Sequence, residues 1–189
     1  MKKNSNSKYK ITISVLILAL ILFTGISAGF SSSELNNEQI VENQKSLSVN
    51  WVPYNEGLLK AEQENKHILV QFVTDGCSWC DKMDSEVYTN PDVIKIIQDK
   101  FVAIKINGKS NNLVKENGEE MTERNLALLY QVSGYPTTWF LESKGEGIAP
   151  LPGYAPAEQF ITVLNYIGDA HYKQMTWQEY VEQTEKPVG

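Results

Sequence analysis

The sequence predicts an α/β fold, on three observations. The apolar run Ile68–Val73 reads as a buried strand, ends at the Asp75-Gly76 turn signal, and leads into helix-forming residues. The order helix, strand, helix, strand between Tyr54 and Asn107 is that of a parallel β-α-β unit. A second apolar strand, Thr137–Leu141, opens directly after Pro136.

The junction of the first strand with its helix carries Cys77-Ser78-Trp79-Cys80, and these are the only two cysteines of the chain. A helix N-terminus leaves backbone N–H groups unpaired and its dipole favours negative charge, so a thiol placed there is drawn towards thiolate, its reactive form. Two intervening residues let one helical turn bring the sulfurs together. The expected device is a disulfide that forms and breaks, with Cys77 exposed and attacking and Cys80, deeper in the helix, resolving the mixed disulfide. A structural staple normally closes a longer loop. A zinc site would need further ligands, but there is no second cysteine pair, and His67 and His171 lack ligand-like spacing. No metal and no cofactor are called for.

The 189 residues carry a formal charge of −6, which fits one domain plus an N-terminal extension and gives no support for a nucleic-acid partner. Residues 1–10 are basic, with Lys2, Lys3, Lys8 and Lys10. Residues 11–30 are strongly apolar and free of charge. This is the pattern of an export signal, and the run is also long enough to be a membrane anchor. The reading prefers a single retained anchor to a signal cleaved near Ala28, which would leave a secreted or periplasmic protein. Either way the lysines place the rest of the chain outside the cytoplasm. Residues 31–46, rich in Ser, Asn, Glu and Gln, read as a polar tether.

The domain is expected over residues 47–170. Leu47–Trp51 alternates as an edge strand, with Trp51 covering the core. Tyr54–Glu64 follows as a helix with Leu58, Leu59 and Ala61 on or near one face. Asn90-Pro91 is a strong helix start, a cap followed by proline at the first position. That helix should end near Lys100, with Val93, Ile94, Ile96 and Ile97 as its apolar face. Phe101–Asn107 is the next strand. Within it, Lys105 is either a strand-end lysine that snorkels or a cation that favours thiolate at the dithiol. Residues 108–120 read as a solvated surface insertion. Thr122 starts a short helix to Tyr130, with Leu126, Leu129 and Tyr130 inward. Glu142–Glu146 is a turn around Gly145. Pro150 and Pro152 mark Ile148–Leu151 as an edge strand. Gly153 is expected to allow close packing near the dithiol, and Ala157–Ile167 is the closing helix. Residues 171–189 read as a frayed or lightly packed tail.

These motifs together resemble thioredoxin-like proteins, especially the extracytoplasmic type with an insertion after the lysine-bearing strand. The resemblance covers roughly residues 47–168. It rests on the cysteine motif in its setting, on Val102–Asn107, on Val132-Ser133-Gly134-Tyr135-Pro136-Thr137 and on Gly153. It implies a central mixed β-sheet with helices on both faces, and a cis Pro136 facing the dithiol. Tyr135 would offer its backbone to substrate, and Lys105 would lie beneath the active site. Two departures stand out. Gln71 occupies the position of the family's buried aspartate and can hydrogen-bond but cannot take a proton, so Asp75, Asp81 or water would replace that base. Ser78-Trp79 stands where thioredoxin has Gly-Pro.

The resemblance thus implies a thiol-disulfide oxidoreductase, leaning slightly to reductase, that acts on thiols or disulfides of exported or cell-surface proteins. A membrane redox partner and a monomeric state are expected with it. Two rival classes remain: a thioredoxin-fold binding module or assembly factor without essential turnover, and a metal-handling protein, for which Met83, one turn from Cys80, would be a candidate ligand.

Overall fold

The computed structural model describes residues 48–184. The basic region, the apolar run and the tether lie outside these, as do residues 185–189. Among the described residues no helix is long and apolar enough to cross a membrane.

Strand β1 (Trp51–Val52) is followed by helix α1 (Tyr54–Glu64), strand β2 (His67–Val73), and helices α2 (Ser78–Glu86) and α3 (Pro91–Lys100). Next come β3 (Phe101–Asn107), β4 (Leu113–Glu116), β5 (Glu119–Thr122) and α4 (Glu123–Leu129). The chain then forms β6 (Thr137–Leu141), β7 (Gly147–Pro152), α5 (Ala157–Gly168), a 3₁₀ turn (His171–Lys173) and α6 (Trp177–Thr184). The main sheet runs β1-β3-β2-β6-β7. β1, β3 and β2 are parallel, whereas β6 runs antiparallel to β2 and β7 antiparallel to β6. The mixed sheet expected from the resemblance is therefore present.

Alternation along the strands builds two cores. Ile68, Val70 and Phe72 of β2 and Val102, Ile104 and Ile106 of β3 point to the face covered by α1 and α4. Leu69 and Ala103 point to the opposite face, with Met83 of α2, Val93, Ile94 and Ile97 of α3, and Phe160 and Leu164 of α5. Asn90 caps α3 as expected, its side chain accepting from the backbone N–H groups of Asp92 and Val93 at 2.9 and 3.2 Å.

Four expectations need correction. Residues 108–120 are not merely a solvated loop. β4 and β5 form an antiparallel hairpin whose Asn117 and Gly118 both take positive φ, as a tight two-residue turn demands. Asn55 holds it to α1 by pairing with the backbone of Lys115 in both directions, at 2.6 and 3.0 Å. Leu59 and Leu129 are exposed, because Tyr54, Gly57 and Ala61 fill the inner face of α1, and Leu126 and Ala127 that of α4. The edge strand β1 is shorter and later than expected, at Trp51–Val52, although Val49 is buried ahead of it. Residues 171–184 form a 3₁₀ turn and the helix α6 rather than a frayed tail, and that helix is lightly packed, with Tyr180 its only buried residue. Thr176 and Glu179 form a reciprocal capping box, and Tyr180 is buried against Tyr166.

That C-terminal segment is tied to the sheet by a polar cluster. The Tyr172 hydroxyl lies 3.0 Å from His67 Nε2 and donates to Glu142 Oε1 at 2.7 Å, while Lys173 pairs with the same carboxylate at 2.9 Å. Burial pushes the His67 imidazole below its ordinary pKa, against a smaller opposing pull from Glu142. A histidine depressed in the folded state binds fewer protons than in the unfolded chain. Its contribution to stability is thus lost as pH falls through the ordinary histidine range, about 6.5, and levels off below the folded value. The melting temperature is expected to drop by several degrees between pH 7.5 and 5. His67→Gln should flatten that slope, and a slope unchanged by the substitution would place its origin elsewhere.

Candidate active site

The cysteine motif lies where β2 gives way to α2. The turn before it needs Gly76, which takes φ +69°. Cys77 is the N-cap residue of α2, and its carbonyl accepts from the N–H groups of Cys80 and Asp81 at 3.0 and 3.1 Å. Its Sγ also accepts from the Cys80 N–H, at 3.2 Å. The sulfur of Cys77 therefore sits in the donor-rich mouth of a helix, where negative charge is stabilised. Cys77 and Cys80 are joined as a disulfide with their Cα atoms 5.2 Å apart. Cys77 is partly open to solvent, whereas Cys80 is only 4% exposed. That asymmetry suits one attacking and one resolving sulfur.

Below α2 the sheet presents a polar row. Gln71 of β2 lies beside Lys105 of β3 and Thr138 of β6, all three on the α2 side. Gln71 is fully buried. Its Oε1 accepts from the Tyr88 hydroxyl at 2.5 Å and from Thr138 Oγ1 at 2.6 Å. Those lengths suit O–H···O rather than N–H···O bonds, so the amide oxygen faces the hydroxyls and the nitrogen faces Met83 Sδ, at 3.9 Å. Burial raises the Tyr88 phenol far above its ordinary pKa, which keeps it a donor. The result is a neutral, fixed polar layer where a titrating acid had been the family expectation.

Lys105 is answered by Asp84 of α2, Nζ to Oδ1 2.7 Å, and lies over the rings of Trp51 and Tyr88 at 4.6 and 5.9 Å. It anchors the helix that bears the cysteines. Trp51 packs against the core, T-shaped on Tyr88. Asp75 is exposed in the turn, with Asn107 Nδ2 3.3 Å from each carboxylate oxygen. Ser78 is exposed as the first residue of α2.

Pro136 immediately precedes β6, and Thr137 pairs with Phe72 near the C-terminal end of β2, which brings Pro136 to the dithiol end of the sheet. The Tyr135–Pro136 bond is cis. Tyr135 is pinned by its hydroxyl to the Gly108 carbonyl at 3.0 Å, an approach that a Cβ at Gly108 would obstruct. Gly153 donates its N–H to the Pro136 carbonyl at 2.8 Å. A Cβ on Gly153 would meet nothing within 4 Å, so its positive φ of +82°, not close packing, is what calls for glycine.

An open groove of about 320 Å³ connects these parts, lined by Trp79, Tyr135, Pro136, Gly153 and Tyr154. Five participants escaped the sequence reading. Thr138 and Tyr88 become visible only through register and helix packing. Tyr154, Lys82 and Glu86 form a cluster with Trp79, and only the helical spacing of Trp79, Lys82 and Glu86 hinted at it. Among the described residues no group of three or more His, Cys, Asp or Glu side chains is placed to hold a metal ion.

Comparison with known proteins agrees with this geometry. Residues 54–168 match the family described as thioredoxin-like domain. The chain is 33% identical over 101 residues to the thioredoxin-related protein DsbJ of Chlamydia pneumoniae, covering 51% of this chain and 28% of that protein. It spans less than a third of the length of the curated relatives it matches. Among solved structures, a thioredoxin-fold protein from Helicobacter pylori superposes with a TM-score of 0.54 at 25% identity, covering 74% of this chain and 88% of that one. A thioredoxin from Thermus thermophilus gives a TM-score of 0.53 at 27% identity, covering 64% and 87%. With the match extending over more than half its length, the chain belongs to the thioredoxin-like domain family.

Proposed function

We propose that the chain is a thiol-disulfide oxidoreductase that reduces disulfides of exported or cell-surface proteins through Cys77 and Cys80. The observation that carries this reading is the half-open Cys77 at the cap of α2, disulfide-bonded to the buried Cys80. In the reduced chain the Cys77 thiolate attacks one sulfur of a substrate disulfide and expels the other as a thiolate. A mixed disulfide to Cys77 results, beside Pro136. Cys80 gives up its proton, attacks the Cys77 sulfur and releases the second substrate thiolate. Two electrons pass to the substrate and Cys77–Cys80 is oxidised.

Gln71 takes no part in the proton step, since its oxygen already accepts two hydroxyls. The Cys80 proton leaves to solvent or to an exposed carboxylate, Asp75 or Asp81. Lys105, through Asp84, holds α2 in place for this chemistry. The Tyr135 backbone flanks the mixed disulfide and aligns the substrate strand.

The basic and apolar segments of residues 1–30 hold the domain on the outer side of a membrane, with residues 31–46 as tether. Similarity to a thioredoxin-related protein and to a thioredoxin supports a thiol-directed role, and the outward placement rests on the basic and apolar segments alone. A reductase in that oxidising setting draws electrons from a membrane redox partner. Mixing the reduced full chain with a protein disulfide should consume two thiols of the chain for each disulfide opened. Thiols that persist beside an intact substrate disulfide would reject the reading.

A further inference from the structure

We infer that a second groove, on the face of the sheet covered by α1 and α4, receives an arginine side chain presented by a partner protein. This binding is independent of the exchange chemistry.

The groove is open, has a volume of about 320 Å³, and is lined in part by Glu116, Leu129, Tyr130, Trp139, Gly145 and Gly147. Trp139 pairs with Val70 in the middle of β2. The β6–β7 turn that carries Gly145 follows the Leu141–Ile68 pair, at the end of the sheet away from Cys77.

Two rings and one carboxylate suit it to a cation. Tyr130 and Trp139 meet edge to face, with centroids 5.4 Å apart at 72°. Trp139 Nε1–H donates to the Tyr130 carbonyl at 3.0 Å, and the Tyr130 ring packs on Phe72 at 5.6 Å. Both rings are nonetheless partly open to solvent. Gly147 helps to keep the Trp139 ring uncovered, since a Cβ there would come within 3.3 Å of it.

The carboxylate is fixed from beneath. Tyr54, only 2% exposed, donates its hydroxyl to Glu116 Oε2 at 2.7 Å and lies 3.2 Å from the Tyr130 hydroxyl. Burial lifts both phenols above their ordinary pKa, so they stay neutral beside that charge. A carboxylate has about four acceptor positions, and Glu116 makes no ion pair among the described residues. Its cross-strand neighbour is Glu119, a like-charged pairing that costs stability until a cation answers it. Lys115 stands opposite Glu120, on the other face of the hairpin. Lys144, exposed in the β6–β7 turn, pairs with neither Glu116 nor Glu119.

Arginine fits these groups better than lysine. Its planar guanidinium lies over a ring face while its fork of N–H groups reaches the carboxylate. Leu129, 55% exposed at the rim, continues the groove as apolar surface. That surface covers the methylenes of the side chain and the backbone that carries it, which a free cation would leave bare.

The test uses the full chain in neutral detergent micelles, isotope-labelled at its tryptophan indole nitrogens. Its four indole N–H signals are assigned by Trp→Phe substitutions made one at a time. A capped Gly-Arg-Gly peptide should shift the Trp139 signal and leave that of Trp79, beside the dithiol, in place. The same peptide with neutral citrulline for arginine should bind about tenfold more weakly, the scale of one desolvated cation–π contact. Glu116→Gln keeps an acceptor for Tyr54 and should weaken arginine binding by about the same factor. Glu120→Gln removes the same charge from the other face of the hairpin and should leave binding unchanged. No shift at Trp139, citrulline binding as tight as arginine, or equal losses from Glu116→Gln and Glu120→Gln would overturn the inference. Free methylguanidinium that binds as tightly as the peptide would overturn the assignment to a protein partner.

Discussion

Replacing Cys77 with serine is expected to reduce disulfide exchange to the rate without protein, whereas replacing Cys80 with serine should leave one attack possible and trap the substrate on Cys77. The contrast follows from position. Cys77 caps α2, receives the Cys80 N–H at its sulfur and is open to solvent, so it alone can meet an incoming disulfide as thiolate. Cys80 is buried under the first turn and reaches only the sulfur of Cys77 itself. Serine at position 77 keeps the cap but has a hydroxyl that stays protonated near neutrality, so no nucleophile remains. Gel mobility under non-reducing conditions, followed by mass spectrometry of the adduct, reads both outcomes. A trapped adduct on the Cys77→Ser protein, or residual turnover there, would reverse the assignment.

The second large effect is on stability. Gln71→Leu preserves the approximate volume but removes the acceptor shared by Tyr88 and Thr138, whose bonds to it are 2.5 and 2.6 Å. Both hydroxyls belong to a fully buried layer and lose their partner together. An orphaned buried polar group costs about 1–3 kcal/mol, so the substitution should destabilise by about 2–4 kcal/mol. With a urea slope of about 2 kcal/mol/M, the unfolding midpoint should move by roughly 1–2 M. Adding Tyr88→Phe removes one of the orphans, so the double variant should be less destabilised than the sum of the two single ones. Additive losses, or a Gln71→Leu protein as stable as the parent, would show that the layer is not held in this way.

The elements around the dithiol were readable because each carries its own local signal. β2 is a continuous apolar run ending at Asp75-Gly76, α3 opens with Asn90-Pro91, and β6 follows Pro136. Their assembly was readable for a different reason. Parallel pairing of β2 with β3 and the return of β6 beside β2 bring the loop after β2 and the loop before β6 to one end of the sheet. What stayed hidden was structure with few apolar contacts. The β4–β5 hairpin carries an Asn117-Gly118 turn signal, but its flanks are Lys115, Glu116, Glu119 and Glu120, and Val114 is the one buried residue of its strands. Charged flanks made an ordered hairpin look like a loop. The Thr176–Glu179 capping box was likewise present in the sequence, in a stretch too short to show helical periodicity. Leu59 and Leu129 misled in the opposite direction, since an apolar residue need not be an inward one. The cluster of Trp79, Lys82, Tyr154 and Glu86 joins residues on α2 to one beyond β7; helical spacing hinted at the three on α2, and nothing within either segment encodes their meeting with Tyr154.

The central claim is that Cys77–Cys80 is a working dithiol and not a staple. The direct measurement is the oxidised fraction of the full chain after equilibration in graded dithiothreitol and glutathione buffers, quenched by alkylation and read by mass. The account predicts a single two-electron transition with a midpoint between about −270 and −120 mV, the span of exchange proteins from thioredoxin to a strong oxidant. A midpoint towards the lower end supports the reducing direction. A disulfide that stays closed at poises below about −300 mV, where structural bridges resist reduction, would contradict the claim.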